Sequence, residues 1–257
     1  MTHVGRQISA YLRASVTRAR EAERIGPFLA SFSLETDNRF LNYAIPDDNA
    51  EPTAGDVSAL TDSYRRRERL PRLEYMPVAA PAVERSFIDA GWAAEGRLPL
   101  MVLPPHSDVH GGLPPDVELI APLTDAELLA TVAAQNEAYG GPPPGPDEGA
   151  ALRRTVEAGG HVVLARAAGG VGEPIGGGLF VAPQDGVAEI SAIGVREPFR
   201  RRGVATAMVR WLAREARAAG VTTVFLMAAS TAEERIYARI GFETVGEMLH
   251  ISRPSEG

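Results

Sequence analysis

The sequence predicts an α/β (α+β) fold in which helices flank a mixed, mostly antiparallel sheet, arranged in two tandem halves. Three observations support this: the chain length, the order of strand and helix patterns after residue 117, and a weaker copy of part of that order before residue 105. The 257 residues are enough for one or two domains with a substantial core.

The composition excludes several kinds of chemistry. Hydrophobic residues make up 45% and charged residues 23% of the chain, as in ordinary soluble globular proteins. The chain has no cysteine, which excludes disulfides, thiolate metal sites and cysteine nucleophiles. It also has no lysine, which excludes a Schiff-base lysine and a phosphate loop of the Walker type.

The net charge and the hydropathy of the chain limit its expected partners and its expected location. The net charge of −7 argues against a nucleic-acid partner. No stretch is as long as a membrane span, and the first residues lack the apolar core of a signal peptide, so we expect a cytoplasmic protein without a membrane partner. No metal is expected, because prolines and Gly111–Gly112 argue against the helix that would bring His106 and His110 together.

A segment rich in proline and glycine separates the two halves. We expect a first domain at 1–105, a linker at 106–116 and a second domain at 117–257. The predicted elements of the second domain are a strand near 117–120, helices at 124–139 and 147–158, two strands around a glycine-rich turn within 161–183, a strand at 187–195, a helix at 203–219, a strand at 222–229, a helix at 231–240 and a final strand or strand pair at 243–252.

The stretch EPFRRRGVATAM, at 197–208, joins a predicted strand to a predicted helix. Its small residues, Gly203, Ala205 and Ala207, leave the main-chain N–H groups at the start of the helix accessible. Those donors and the helix dipole favour an anion such as a diphosphate, and the arginines add attraction. The alternative is a solvated run of charges without a ligand.

The residue pattern narrows these alternatives. Arg200-x-x-Gly203-x-Ala205 resembles the acetyl-CoA-binding signature of the GNAT superfamily of N-acetyltransferases. Tyr237, followed by Gly241 and Phe242, resembles the end of the last helix of that family and its turn into the next strand. The resemblance covers about 117–252, with sharp motifs at 187–242, and it implies a GNAT-type sheet.

The resemblance implies two catalytic residues. Tyr237 matches the tyrosine that protonates the leaving thiolate, and the alternative role is that of an interfacial core tyrosine. Glu189 matches a glutamate base used by some members, whereas others use a chain of water molecules. Strict alternation along the strand would place Glu189 on the same face as Ser191, Ile193 and Val195.

The resemblance also implies a set of residues that bind acetyl-CoA. Ser230 stands where the family often has an asparagine that reaches the cofactor. Its alternative role is helix capping, because Ser230 with Glu233, or Thr231 with Glu234, fits a capping box. The expected contacts are Ile193, Gly194 and Val195 to the pantetheine arm, Arg200, Arg201, Arg202, Gly203, Val204, Ala205 and Thr206 to the diphosphate, and Ser230.

The first half is predicted to be a reduced copy of the second. Aligning Gly91–Trp92 with Gly241–Phe242 places Phe87 on Tyr237. Upstream, the stretch LPRLEYM, at 70–76, stands where VTTVFLM, at 221–227, stands in the second half. The nearby arginines of YRRRERL are not followed by a glycine, and Phe87 has no hydroxyl. We therefore expect this half to bind no acetyl-CoA and to pack against the active half, as a partner subunit does in dimeric relatives.

Together these features predict an acetyl-CoA-dependent N-acyltransferase that acetylates a primary amine by direct attack in a ternary complex. The acceptor is a small molecule or a protein amine, and the sequence fixes neither its identity nor the acyl chain length. The alternative is a non-catalytic regulator that binds acyl-CoA. A monomer with an internal pseudo-dimer and a homodimer both fit the repeat.

Overall fold

The computed structural model of the chain describes residues 2–18, 20–34, 36–169 and 172–254. The helices are α1 (His3–Ser15), α2 (Ala54–Arg66), α3 (Val83–Asp89), α4 (Asp125–Ala138), α5 (Pro146–Glu157), α6 (Val204–Ala218) and α7 (Thr231–Ile240). The strands are β1 (Glu21–Ile25), β2 (Phe28–Phe32), β3 (Ala44–Pro46), β4 (Arg72–Tyr75), β5 (Ala93–Leu103), β6 (Val117–Ile120), β7 (His161–Ala167), β8 (Pro174–Phe180), β9 (Val187–Val195), β10 (Thr223–Met227) and β11 (Glu243–Ser252).

The chain forms two compact units. The first contains Met1–Leu100 together with Thr244–Gly257, and the second contains Met101–Glu243. This division differs from the expected boundaries, because the final strand lies in the first unit. The expected linker at 106–116 lies inside the second unit, where Val109 is buried in the core and Arg217 donates a 2.8 Å hydrogen bond to the Ser107 carbonyl. Among the described residues, no helix combines the length and apolarity needed to cross a bilayer.

The second unit contains the sheet that the sequence predicts. Its strands follow the order β10-β9-β8-β7-β6, with the end of β5 beside β10. Neighbours from β6 to β9 are antiparallel, whereas β9 and β10 are parallel and are joined by α6. A parallel pair requires such a crossover, and α6 supplies it. The mixed, mostly antiparallel sheet flanked by helices is therefore confirmed.

Helix α6 packs against this sheet through apolar residues at helical spacing. Val204, Met208, Leu212 and Ala216 recur every four residues, and each is no more than 2% exposed. They belong to the main core of the second unit, together with Ile190 and other residues of the sheet. Helix α4 packs on the opposite face of the sheet. It begins with the capping box of Thr124 and Glu127, which satisfies the first free N–H groups of that helix.

The first unit repeats this order of elements. Strands β1, β2 and β3 are antiparallel neighbours, and β3 and β4 are parallel and joined by α2, as β7 to β10 are in the second unit. Helix α3 and strand β5 then follow β4, as α7 and β11 follow β10. The predicted internal repeat is confirmed by this shared order.

The last strand of the second half, β11, does not lie in the sheet of its own half. Strand β11 lies between β4 and β5, and its register with β4 pairs His250 with Glu74 and Ile251 with Leu73. Leu249 and Ile251 are fully buried in the core of the first unit. The last strand of the chain thus completes the first sheet.

Candidate active site

The turn between β9 and α6 offers free main-chain donors. Gly203 is the N-cap residue, with a left-handed φ of 82°, and in this described segment no side chain caps α6. The first intrahelical bond runs from the Ala207 N–H to the Gly203 carbonyl, at 3.0 Å. The N–H groups of Val204, Ala205 and Thr206 precede that bond and point out of the helix. Such a helix start is suited to bind an anion.

Glycine at 203 is required by conformation rather than by space. The nearest atom to a β-carbon added there would be Pro114 Cγ, at 3.7 Å, which is an ordinary contact. The φ of 82° is the obstacle, because side chains rarely adopt it. Two positions earlier, Arg201 is also left-handed, with φ of 62°. The backbone of this turn is therefore held in an uncommon shape.

The three arginines have different surroundings. Arg200 donates to the Val195 carbonyl at 3.0 Å and to the Ala138 carbonyl at 2.8 Å, so it braces the turn against β9 and α4. The Arg202 guanidinium lies over the Phe199 ring, 5.5 Å from its centre, and both residues line a cavity of about 290 Å³. Arg201 is exposed. The structure thus gives Arg200 a bracing role that sequence reasoning did not foresee.

A β-bulge interrupts β9. Ala192 has a φ of 54°, and two β9 residues, Ala192 and Ile193, oppose Gly178 alone on β8. The Gln135 side-chain amide of α4 donates a 2.7 Å hydrogen bond to the Ala192 carbonyl. This bond fixes the extra residue to the helix that covers the sheet.

The bulge changes which β9 side chains lie on the same face of the sheet as Glu189. Paired residues share a face, and Ser191 pairs with Leu179 whereas Val195 pairs with Gly176. Glu189 therefore shares a face with Ser191 only, whereas Ile193 and Val195 lie on the opposite face. The expectation of a common face was wrong, because the extra residue shifts the alternation by one.

The strands β9 and β10 part next to Glu189. Their described pairs run from Thr223 and Val187 to Phe225 and Glu189, although β9 continues to Val195. In the described part of the chain, the last residues of β9 have no register partner on β10. Ile193, Gly194 and Val195 lie in this stretch, beside a gap where an extended ligand could pair with main-chain groups. Glu189 is half-buried and already interacts with another group of the protein.

Tyr237 lies on α7 with its ring in the core of the second unit. It is 6% exposed, and its ring centre lies 6.3 Å from that of Phe242. Its hydroxyl forms no hydrogen bond with a residue that the structure describes. Burial, and then the nearby Glu233 and Tyr139, raise the pKa of Tyr237 above its ordinary value. An unperturbed phenol already carries its proton at neutral pH, and the raised pKa keeps the Tyr237 hydroxyl protonated.

Ser230 caps α7. Its hydroxyl oxygen accepts a hydrogen bond from the Glu233 N–H at 3.2 Å, and Glu233 accepts one from the Ala229 N–H at 2.8 Å. The predicted helix-capping role of Ser230 is confirmed, but the second bond of the predicted capping box differs, because the Glu233 carboxylate accepts from the Ala229 N–H rather than from the Ser230 N–H. Among the described residues, no three His, Asp or Glu side chains come together as a metal site would need.

Sequence reasoning missed Tyr139. It follows α4 directly, is 64% exposed, and interacts electrostatically with Glu233 and Tyr237. Its Cε2 atom would lie 3.5 Å from a β-carbon added to Gly194. A single tyrosine after a helix forms no spacing pattern, so only the fold could bring it to the site.

Comparison with known proteins points to the family that the sequence motifs resemble. Residues 129–242 match the family model described as the acetyltransferase (GNAT) family. A GCN5-related N-acetyltransferase from Kribbella flavida is 22% identical, with a TM-score of 0.80 over 99% of this chain and 97% of that one. One from Sphaerobacter thermophilus is 18% identical, with a TM-score of 0.65 over 89% of this chain and 78% of that one.

A structure described as a tandem GNAT protein from the clavulanic acid biosynthesis pathway is 11% identical, with a TM-score of 0.62 over 90% of this chain and 79% of that one. At these identities the likeness shows a shared fold, and it extends over both halves of the chain. No curated protein matches the sequence.

Proposed function

Residues 129–242 are a GNAT acetyltransferase domain, and from that premise we propose that the chain moves an acetyl group from acetyl-CoA to a primary amine. The family supports acyl transfer in general; the donor, the acceptor and direct attack in a ternary complex are the proposal. The observation that carries it is the start of α6, where Gly203 is left-handed and three N–H groups are free of side-chain caps.

The residues around that turn suit a diphosphate. The N–H groups of Val204, Ala205 and Thr206 would bind its oxygens, with Arg201 and Arg202 adding positive charge. Arg200 would act indirectly, by holding the turn to β9 and α4. The main chain of Ile193, Gly194 and Val195 would pair with the amides of the pantetheine arm, and Ser230 stands at the start of the facing helix.

The transfer itself needs a base and an acid. The amine nitrogen attacks the thioester carbonyl carbon, the C–N bond forms, and the C–S bond breaks. Glu189, directly or through water, takes the proton from nitrogen, and the Tyr237 hydroxyl gives its proton to the departing sulfur. The match of Tyr237, Gly241 and Phe242 to the family pattern supports the donor role. Because the chain has no cysteine, a cysteinyl relay is impossible, which favours direct attack.

The first unit lacks each of these features. Helix α2 begins with a capping box in which Thr53 accepts from the Asp56 N–H and the Asp56 carboxylate accepts from the Thr53 N–H, so a negative side chain occupies the anion position. When LPRLEYM, at 70–76, is aligned with VTTVFLM, at 221–227, Leu73 stands at Val224; its partner Ala44 then stands at Ala188, and Ile45 stands where Glu189 does. With Phe87 in place of Tyr237, these differences support a non-catalytic first half.

Replacing Gly203 tests the cofactor site. Gly203→Val should abolish binding of coenzyme A in calorimetry, because a β-branched residue cannot adopt φ of 82° without moving the N–H groups. Gly220→Val is the matched control, since Gly220 has φ of 81° with no neighbour within 4 Å of an added β-carbon and lies past the other end of α6. Unchanged binding by Gly203→Val would reject the site.

Thiol release from acetyl-CoA with a panel of amines tests the activity. Release that depends on an amine supports the enzyme. Binding of coenzyme A without release on any amine would instead favour the non-catalytic regulator.

A further inference from the structure

Two helices bring an exposed aromatic ring and a carboxylate next to the proposed proton donor. Tyr139 follows α4, and Glu233 lies one helical turn before Tyr237 on α7, so Glu233 and Tyr237 share a face of that helix. The Glu233 carboxylate is within electrostatic reach of the Tyr139 and the Tyr237 hydroxyls. The three side chains therefore form one cluster, which we call the tyrosine–glutamate cluster.

The ring of Tyr139 is held in place but not covered. The side chain is 64% exposed, and its hydroxyl forms no hydrogen bond with the described residues. Its position is fixed from behind, because Arg200 binds the preceding carbonyl, that of Ala138, at 2.8 Å. Gly194 lies beside the ring, since a β-carbon there would lie 3.5 Å from Tyr139 Cε2. An exposed aromatic ring on an anchored backbone is suited to a cation–π contact.

The charge of Glu233 is not neutralised by a side chain. One carboxylate oxygen, Oε2, accepts from the Ala229 N–H at 2.8 Å. Among the described residues, no arginine or histidine pairs with Glu233, whereas Glu137, nearby in sequence to Tyr139, is paired with Arg196 at 2.7 Å. Glu233 thus keeps an oxygen and a net negative charge for a ligand.

We propose that Tyr139 and Glu233 bind a second cationic group of the amine acceptor, one that is not itself acetylated. This inference rests on the proposed function and names its substrate class: diamines and other amines that carry a further positive charge. The carboxylate would hold that group by an ion pair and the Tyr139 ring would hold it by its face.

The reacting nitrogen itself is a poor candidate for the bound cation. It must lose its proton before it attacks the thioester, and a neighbouring carboxylate favours the protonated ammonium form. A group that stays charged throughout the reaction gains from Glu233 without this conflict. The two roles therefore belong to different nitrogens of one molecule.

The test compares acceptors that differ only in the distal charge. 1,4-Diaminobutane, 4-amino-1-butanol and butylamine are assayed by thiol release, with the wild type and with Glu233→Gln, Tyr139→Leu and Tyr139→Phe. We expect the wild type to prefer the diamine by about tenfold in kcat/KM, mainly through KM. Glu233→Gln and Tyr139→Leu should each remove most of that preference, and Tyr139→Phe should retain it because the ring remains. Glu157→Gln, an exposed position at the end of α5, is the matched control.

Calorimetry with the diamine alone separates this inference from the proposed function. Diamine binding that is lost in Glu233→Gln supports the subsite even if no amine is acetylated, in which case only the proposed function fails. Turnover with equal kcat/KM for all three amines would overturn the subsite and leave the proposed function intact. A Glu233→Gln variant that raises KM for acetyl-CoA but not for the diamine would also overturn it, because Glu233 would then face the cofactor.

Discussion

Two properties of Tyr237 suit its proposed role as proton donor to the departing thiolate. Its ring is packed in the core, which fixes its position, and its hydroxyl has no hydrogen-bond partner among the described residues. A phenol carries its proton at neutral pH, and burial and the nearby Glu233 and Tyr139 raise the pKa of Tyr237 further. These properties belong to the side chain and not to the fold as a whole.

Removing only the hydroxyl should therefore separate chemistry from packing. Tyr237→Phe is expected to lower kcat by about 100-fold or more, the usual contribution of a general acid. The affinity for acetyl-CoA should change by less than about twofold, because the ring that fills the core remains. Steady-state thiol release and calorimetry measure the two quantities, and thermal unfolding checks the fold. A variant as fast as the wild type would remove Tyr237 from the mechanism.

At the residue scale, the sequence predicted what depends on local chemistry. The left-handed glycine at 203 and the cap formed by Ser230 follow from residue types and short spacings. The face of Glu189 was wrong, because Ala192 adopts φ of 54° and alanine gives no local sign of such a conformation. The bracing role of Arg200 could not be predicted, since one of its acceptors lies 62 residues away in the chain.

The strands β4, β11 and β5 carry a buried polar cluster in the first unit. Arg72, which is fully buried, forms ion pairs with Glu74 on its own strand and Glu95 on β5. His250 of β11 lies 3.8 Å from Glu74 and has no hydrogen-bond partner for Nε2 in the described structure. Removing one partner of such a group leaves an uncompensated charge, so the cluster ties the three strands together.

The stability of the protein should fall in acid because of this cluster. Burial lowers the pKa of His250, against the opposing charge of Glu74, so the unfolded state binds a proton more readily than the folded state does. Burial would raise the pKa of Glu95, but Arg72 and hydrogen bonds outweigh it and lower that pKa, with the same sign for stability. Both groups contribute stability at neutral pH. His250 loses its share as pH falls below about 6.5, and Glu95 loses its share below about 4.5.

Replacing the histidine should flatten the first part of this dependence. Urea unfolding of His250→Gln between pH 7 and 5 is expected to show a smaller decline than the wild type, by at most about 1.4 kcal/mol per pH unit for one group. His106→Gln, at an exposed position, is the control and should follow the wild type. Equal slopes for His250→Gln and the wild type would contradict the assignment.

At the element scale, helices of the second half were predicted to within about two residues, because caps and apolar spacing define their ends. The first half was harder. The arginines of YRRRERL were compared with the turn before α6, but Arg65 and Arg66 lie in the last turn of α2, which begins after its N-cap residue Thr53. The repeat keeps the order of helices and strands, but residues that look alike in the two halves do not occupy equivalent positions in those elements.

At the scale of the whole molecule, the first unit depends on the end of the chain. Strand β11 contributes two fully buried residues, Leu249 and Ile251, to its core and pairs with β4 over four positions. The loss of one such side chain costs about 2–5 kcal/mol, and the stability of a whole domain is about 5–15 kcal/mol. Without β11 the first sheet would have a gap between β4 and β5.

Truncation after Glu243 should therefore unfold the first unit, although every residue up to 243 is retained. Limited proteolysis is expected to cleave within 1–100 while sparing 101–243, and circular dichroism should show a loss of strand content. Removal of 254–257 alone is the control and should leave the protease pattern unchanged, because β11 remains intact. Protection of 1–100 in the longer truncation would show that β11 is dispensable.

The repeat could be predicted from the sequence, whereas the placement of the last strands could not. Periodicity shows that 243–252 is a strand with a buried face, but it does not show which sheet the strand joins. That choice is made by the register of His250 with Glu74 and of Ile251 with Leu73, pairs about 175 residues apart in the chain. Contacts of that range lie outside any local pattern.

The position of β11 has a consequence for biosynthesis. A ribosome makes the first hundred residues of this protein well before it makes the strand that those residues need. The nascent first unit therefore keeps β4 and β5 unjoined until β11 has been made, about 140 residues after β5, so its folding follows the synthesis of the second unit.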